Sequence, residues 1–436
     1  MSAPAVSTEQ TASVSSAGRL LAGLSSERPG LAGHRAVWGP IPATSGPGLI
    51  ALVDAAGLLG RGGAGFPVAR KMSSVAAGKG PAVVVANGCE GEPASGKDTL
   101  LLSRTPHLVL DGIQLAARAV RADCAYLVVH AGSPAIPHLR AALAERGSEA
   151  VPVTLESVPP RYVASEETAL VSWLNGGDAL PAYTPPRPFE RGVNRRPTLI
   201  NNVESLAHVA TIARCGAEWF REIGDRWEPG TMLVTVSGAR VDHRVAEVAT
   251  GTTIGRVVTA AGLSLKDSEA VLVGGYFGSW LPADAASRLR LTHASLRDAG
   301  AALGAGVLAV LPPGSCGLAE TARIASYLAA SSARQCGPCL NGLPAIAGAM
   351  NALAAGTWDE RTWPALNRWL DVVPGRGACR HPDGAVRLVA SALSTFAADV
   401  ERHRAGRPCA GVSAAPFLPI PAVPRSGWAG VGGKVR

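Results

Sequence analysis

The sequence predicts an α/β protein: a parallel sheet with covering helices, then a smaller α+β unit, then a helical C-terminal region. Three observations predict it. β-branched runs alternate with helix-spaced segments over about residues 80–230, and strand–helix–strand alternation implies a parallel sheet. Short β-branched runs then gather around one helical segment, in a unit ending at Gly274-Gly275. Beyond Pro312-Pro313 only helical spacing remains. At 436 residues, with 47 % apolar and 17 % charged side chains, the chain has room for several packed domains and is too apolar to be disordered as a whole.

The elements follow in order. Residues 1–45 are small, polar and punctuated by Pro and Gly; they read as a flexible segment without a secretory signal. Residues 49–59 read as a helix running into a glycine-rich loop. Residues 81–86 form a strand that ends at Asn87-Gly88, 105–119 a helix capped by Thr105, 125–130 a strand, 136–146 a helix and 151–155 a strand. The second unit has strands at 231–237, 245–248 and 270–273 around a helix at 254–261. Helices follow at 318–330, 340–355, 361–370 and 385–403. No run approaches the ~20 uncharged apolar residues of a membrane span, and no repeat of solenoid period is present.

Charge is uneven. The formal charge is +8, and from Glu401 onward six basic residues (Arg402, Arg404, Arg407, Arg425, Lys434, Arg436) face Glu401 alone. With Pro416, Pro419, Pro421 and Pro424 this end reads as an extended or poorly ordered arm. Its simplest role is a solvated tail; an acidic redox partner comes next, and no nucleic-acid-binding module is visible.

Five motifs carry chemistry. Gly60, Gly62 and Gly65 satisfy GxGxxG, but a helix-like segment precedes them where the dinucleotide fingerprint needs a strand. The loop is either a turn-rich linker or a place where backbone approaches a flat or phosphorylated ligand, with Arg61, Arg70 and Lys71 available for phosphate. Asn87-Gly88-Cys89-Glu90-Gly91-Glu92-Pro93, followed by Lys97-Asp98, stands at a strand's C-terminal end, where open α/β sheets bind ligands; otherwise it is a charged surface loop. Tyr162 precedes Glu166-Glu167 at a helix start, and these carboxylates either complement the helix dipole or face a ligand. Asn201-Asn202, after the Arg- and Pro-rich segment 185–197, either cap a helix or offer amides to a phosphate.

The fifth motif is Cys336-Gly337-Pro338-Cys339 with Cys379 downstream. Eight cysteines in this length are too few for a disulfide scaffold, so the set reads as iron–sulfur, zinc or thiol–disulfide chemistry. Cys316 and His381 are candidate fourth ligands without convincing spacing. Cys124 and Cys215 read as core residues, and Cys409 lies in the tail.

In this order the motifs resemble the flavin-bearing, NADH-binding subunit of respiratory complex I (the F-subunit family of NADH-quinone oxidoreductase) and related subunits of NAD-reducing hydrogenases and formate dehydrogenases. The resemblance covers about residues 50–400. It implies a Rossmann-like FMN-binding domain at 46–228, a small β-grasp (soluble-ligand-binding) domain at 229–305, a helical iron–sulfur domain at 306–404 and a basic tail at 405–436. It implies FMN contacts from Gly60, Arg61, Gly62, Gly63, Gly65, Lys71, Asn87, Glu90, Glu166, Glu167, Asn201 and Asn202. Phe66, Glu92 and Tyr162 would lie where the nicotinamide stacks, with Glu92 and Glu167 in catalytic roles. Cys336, Cys339 and Cys379 would hold the cluster.

The chain departs from the pattern in places. The family's C-x-x-C-x-x-C begins here with Ala333, so three cysteines remain for a [3Fe–4S] cluster, a [4Fe–4S] cluster with a non-Cys ligand, or none. Leu340 replaces an Arg. Cys89 stands where an Asp is expected, Gly91 where a Ser is expected, and Ser165 replaces a Gly. The resemblance implies an oxidoreductase, an FMN-dependent NADH dehydrogenase, that passes electrons through an iron–sulfur cluster to a ferredoxin-like or membrane-bound partner. It implies a cytoplasmic component of a larger complex that meets a membrane only through its partners and binds no nucleic acid. Two alternatives stand beside it: a flavoprotein fed by reduced ferredoxin or another donor, and a non-catalytic scaffold with a degenerate cluster site.

Overall fold

In a computed structural model, residues 18–21, 30–239 and 241–423 are described. The first unit carries β1 (Ala82–Asn87), β2 (Ala122–His130), β3 (Val153–Val158) and β4 (Thr198–Asn202), all parallel, in the order β3-β2-β1-β4. Its helices are α1 (Leu31–Trp38), α2 (Gly46–Ala56), α3 (Val68–Ala76), α4 (Lys97–Arg104), α5 (Pro106–Val120), α6 (Ile136–Arg146), α7 (Glu167–Leu174) and α8 (Val203–Arg221). Strand β1 is central and buried on both faces. Val84 and Ala86 enter the core beneath α2, α5 and α8, while Val83 and Val85 pack on the opposite side with Val128, Leu170 and Ile200. Helix α5 lies directly against α8, because a Cβ at Gly112 would overlap the Leu206 carbonyl.

The second unit is a mixed sheet of β5 (Thr231–Gly238), β6 (Val241–Ala249), β7 (Ala270–Val273), β8 (Ser279–Pro282) and β9 (Val307–Val310), ordered β6-β5-β9-β7-β8. Only β5 and β9 run parallel, and α9 (Ile254–Ala260) packs on the sheet as the crossing helix of a β-grasp arrangement. Two short helices, α10 (Ala283–Arg288) and α11 (His293–Asp298), complete it. The third unit is helical: α12 (Gly317–Ala330), α13 (Leu343–Ala355), α14 (Thr362–Val372), α15 (His381–Thr395) and α16 (Ala397–Arg404). Its core takes in Tyr276 and Trp280 from the second unit. Among the described residues no helix is long and apolar enough to cross a membrane.

Several expectations are corrected. Strand β4 stands where a turn into a helix is expected; the two asparagines that suggest the turn are its last residues. Thr105 precedes α5, but its hydroxyl donates back to the Leu101 carbonyl, so it is no side-chain cap. The expected helix at 385–403 is two helices broken at Phe396, whose backbone leaves the helical region. Within the segment expected to be flexible, α1 forms and its His34 meets Asp111 at 2.7 Å. The expected loose arm is packed as far as residue 423. Leu418 is buried, Arg323 donates to its carbonyl at 3.1 Å, and the Tyr276 hydroxyl donates to Pro419. Pro424, Arg425, Lys434 and Arg436 lie outside the described residues, as do residues 1–17 and 22–29. Cys215 is exposed and Cys124 half-buried, so neither is a fully buried core residue.

Candidate functional site

The topology creates a crevice. From β1 the chain steps to β2 and β3 on one side and returns to β4 on the other, so strand order reverses between β1 and β4. Asn87 and Asn202, their last residues, are register partners at this switch point, where parallel sheets open a ligand site. A cavity of about 590 Å³ lies there. Gly60, Arg61, Gly62, Gly63, Gly65, Phe66, Lys71, Asn87, Glu90, Glu92, Tyr162, Glu166, Glu167, Asn201 and Asn202 all line it, joined by Cys379.

The glycine loop joins α2 to α3. It is closed by Gly60 N–H donating to Phe66 O (2.9 Å) and Val68 N–H to Leu58 O (3.0 Å). Two glycines are required by space and conformation. Gly63 has φ +101°, and a Cβ there would lie 3.1 Å from Gly304 O of the second unit. Gly65 has φ +62°, and a Cβ would press to 2.5 Å of the His293 ring. The basic residues divide. The Arg61 guanidinium is committed to the Thr231 carbonyl (2.9 Å) and lies 4.0 Å from Glu204, so the phosphate role expected of its side chain is corrected to a structural one. Arg70 stacks over Phe66 and does not line the cavity. Lys71 does line it, with Nζ on Ile200 O (2.9 Å) and Glu167 (3.3 Å). Phe66 is 47 % exposed at the loop's end.

The acidic residues also divide. Glu90 spends both oxygens on α4, accepting from Asp98 N–H and Thr99 N–H (3.0 Å each) and from the Ser95 hydroxyl (2.7 Å). Glu166 is the N-cap of α7, accepting from Thr168 N–H (2.8 Å) and Ala169 N–H (3.1 Å). Asn202 caps α8 through Glu204 N–H (3.0 Å) and donates to Asp98 (2.8 Å). Asn201 differs: its buried Nδ2 has no partner. The adjacent asparagines therefore split the two readings open in the sequence, one a cap and one an unengaged amide on the cavity wall. Beneath them Lys97 is buried between Asp98 (2.7 Å) and Glu204 (2.9 Å); burial alone would lower its pKa, but the two carboxylates raise it.

Glu92 holds the far wall. It accepts from the Tyr162 hydroxyl (2.9 Å), Tyr276 N–H (2.7 Å) and Ala94 N–H (3.1 Å). Burial pushes its carboxyl up to about 7 against these three donors. Gly275, at φ +91°, leaves room for it, since a Cβ would stand 2.5 Å from Oε2. Gly91 and Ser165 are matched in the same way: a Cβ at Gly91 would overlap the Ser165 hydroxyl, which donates to Tyr162 O at 2.9 Å.

An aromatic wall runs from Tyr162 toward the cysteines. Phe277 packs on Tyr162 (centroids 4.6 Å apart) and His381 on Phe277 (5.3 Å). Burial lowers His381 to about 4, so the ring is neutral; its Nε2 meets Leu328 O at 2.7 Å and its buried Nδ1 has no partner. Sequence reasoning named Gly274-Gly275 only as a strand end and did not find Phe277 or Arg387, which also line the cavity. The glycine pair is the one local signal of a turn delivering the residues after it.

Cys379, two residues before His381, joins this wall. Burial raises Cys379 to about 11 and Cys339 to about 12, and the charge of Cys336 acts on both in the same direction. Cys336-Gly337-Pro338-Cys339 enters a π-turn (Pro338–Gly342) that leads into α13. Ala333, at the place of the missing cysteine, is buried. Cys316 is not part of this set; it meets His403 at the start of α12.

The chain also matches known proteins. Residues 53–211 match the Nuo51 FMN-binding domain, and residues 319–403 match the NADH-ubiquinone oxidoreductase-F iron–sulfur binding region. The chain is 30 % identical to the F subunit of NADH-quinone oxidoreductase from Streptomyces coelicolor, over 83 % of this chain and 84 % of that one. It is 31 % identical to the F 2 subunit of NADH-quinone oxidoreductase from Rhizobium meliloti, over 83 % and 90 %. A crystal structure of an NAD+-reducing [NiFe]-hydrogenase in its H2-reduced state superposes with a TM-score of 0.77 at 30 % identity, covering 86 % of this chain and 67 % of that one.

Proposed function

The chain belongs to the F-subunit family of NADH-quinone oxidoreductase, and we propose that the cavity between β1 and β4 is where it binds FMN and NADH side by side. It is an NADH-oxidising flavoprotein that passes electrons on through an iron–sulfur centre. The observation that carries the site assignment is Asn201: a buried amide without a partner, on the wall of a cavity at the topological switch point. A loop of glycines without room for a Cβ at Gly63 and Gly65 offers the backbone approach that a flat ring and a phosphate need.

When bound, the flavin supplies a two-electron acceptor for hydride and a one-electron donor to the cluster. The remaining work belongs to side chains. Phe66 offers an exposed ring at the rim for an incoming base. Glu92, fixed by three donors, orients the carboxamide end of the nicotinamide. Asn201 and Lys71 face the flavin, while Asn202, Glu90 and Glu166 hold the helix ends that shape its pocket. Phe277, Tyr162 and His381 fill the space between flavin and cysteines and exclude water. Cys336, Cys339 and Cys379 provide three thiolates, which match the donor set of a [3Fe–4S] cluster or three corners of a [4Fe–4S] cluster.

Electrons must leave such a protein, so its partner is a ferredoxin-like or other electron-transfer component of a larger complex. We place it in the cytoplasm, meeting a membrane only through partners. The test is anaerobic: the protein with FMN is offered NADH or reduced ferredoxin, and flavin absorbance is followed. Bleaching by NADH is expected. Bleaching by ferredoxin alone would reverse the direction, and no bleaching by either would leave only the scaffold.

A further inference from the structure

A second cysteine cluster lies in the helical unit, outside the flavin cavity. Cys316, at the N-cap of α12, His403, in the last turn of α16, and Cys409, five residues past α16, bring one ligand atom each to within 4.8 Å of one another. Among the described residues this is the only group of three His, Cys, Asp or Glu drawn so close. Cys316 Sγ and His403 Nε2 are 3.9 Å apart. A tetrahedral zinc with bonds of about 2.0–2.3 Å sets its ligand atoms roughly 3.5 Å apart, so little movement would close the set. Both Cys316 and His403 are fully buried, and Cys409 is half-buried.

The histidine is prepared for a metal. The Cys409 backbone N–H donates to Nε2 at 3.0 Å, so Nε2 carries a lone pair, and Nδ1–H is left to donate to the Leu353 carbonyl at 3.1 Å. A backbone carbonyl holding the remote ring nitrogen is the outer-shell partner that metal-binding histidines use. The backbone is shaped to deliver Cys409. A Cβ at Gly411 would stand 2.6 Å from Gly314 O and 2.8 Å from Cys316 N, so only glycine lets the C-terminal segment lie on the loop before α12.

We propose that Cys316, His403 and Cys409 form a Cys2His zinc site that pins the segment after α16 to the helical unit. Coordination replaces the two thiol S–H bonds by Zn–S bonds, releasing both protons, and replaces the Cys409 N–H···Nε2 hydrogen bond by a Zn–N bond. Solvent on the Cys409 side supplies the fourth ligand. Two thiolates and one imidazole favour zinc over calcium or magnesium. The site shares no residue with the flavin cavity or with Cys336, Cys339 and Cys379, so it stands or falls independently of the reading above.

The test uses the full chain, purified without chelator and analysed for zinc, then stripped and titrated with cobalt as a spectroscopic probe. About one zinc per chain and thiolate-to-cobalt charge-transfer bands are expected. Cys316→Ser and Cys409→Ser should each weaken cobalt binding by more than about tenfold, whereas C336S/C339S should retain it. Should the serine variants fold poorly, the wild type answers alone: zinc should shield the half-buried Cys409 from iodoacetamide relative to the stripped protein, read by peptide mass. No metal uptake by the wild type would overturn the proposal. So would loss of uptake in C336S/C339S alone, or a Cys316–Cys409 disulfide in freshly isolated protein.

Discussion

The cavity proposed for the flavin and the cysteine end that adjoins it obey different rules. The cavity is built from shape: glycines in one loop, helix caps in three others, and a turn from the second unit at Gly275. Its constraint is spread over many atoms, and changes within it are matched, as Gly91 is to Ser165. The cysteine end is built from point ligands. Removing the thiol at position 333 subtracts a bond that packing cannot replace, and the buried Ala333 shows only that the fold tolerates the loss. A cofactor held by enclosure therefore survives drift that would strip a cofactor held by coordination. Flavin binding is therefore expected to tolerate single side-chain changes better than cluster content tolerates the loss of a thiol.

The largest loss of flavin binding is expected from Gly63→Val. The position combines φ +101° with a backbone oxygen 3.1 Å from any Cβ. If the loop relaxes away to escape about 2–3 kcal/mol of strain, flavin binding must restore it, which predicts FMN affinity weakened roughly a hundredfold, read by flavin fluorescence titration, with the fold retained by circular dichroism. Undiminished affinity would show that the loop does not approach the ring.

Gly91→Ser should overpack Ser165 and cost about 1–3 kcal/mol, seen as a lower thermal midpoint and slower flavin reduction. The pair G91S/S165G should recover part of both, because the second change removes the hydroxyl that the first one meets but leaves the Tyr162 carbonyl 2.9 Å from the new Cβ. Additive losses would mean the two positions are not coupled.

Glu92 supplies a pH test. Its carboxyl is neutral below and ionised above about 7, and burial is the main cause. Because the ionised carboxylate is the form that accepts from a carboxamide, the rate of flavin reduction by NADH should rise about three- to tenfold between about pH 6 and pH 8 through a single inflection. Glu92→Gln should flatten that profile while leaving flavin bound. An inflection that persists in E92Q belongs to another group.

The smallest expected effect sharpens the cysteine side. Ala333→Cys restores C-x-x-C-x-x-C and should raise iron by at most about one per chain, with slower cluster loss in air. Flavin content and the rate of flavin reduction should not change.

Much of this was legible in the sequence because the motifs are local. Every residue of the glycine loop, the acidic loop, the Tyr162–Glu167 stretch and the asparagine pair expected at the site lines one cavity. What the sequence could not assign was which polar atoms the fold would consume. Asn202, Glu90 and Glu166 end helices, and Arg61 is taken by the Thr231 carbonyl, a partner far away in sequence. Strand β4 was hidden because five residues ending in two asparagines look like a turn until β1 pairs with them. Phe277 and His381 reach the cavity from other units, and the meeting of Cys316 with His403 and Cys409 depends on how α12 and α16 pack.

Taken together, an intact flavin cradle feeds a cluster held by three cysteines. This is tested most directly by an anaerobic absorbance spectrum of the purified protein, with flavin, iron and sulfide quantified before and after NADH. About one flavin per chain that bleaches with NADH is expected, together with about three to four irons and matching sulfide. A protein that binds flavin but holds no iron after reconstitution, or one that stays colourless, would contradict it.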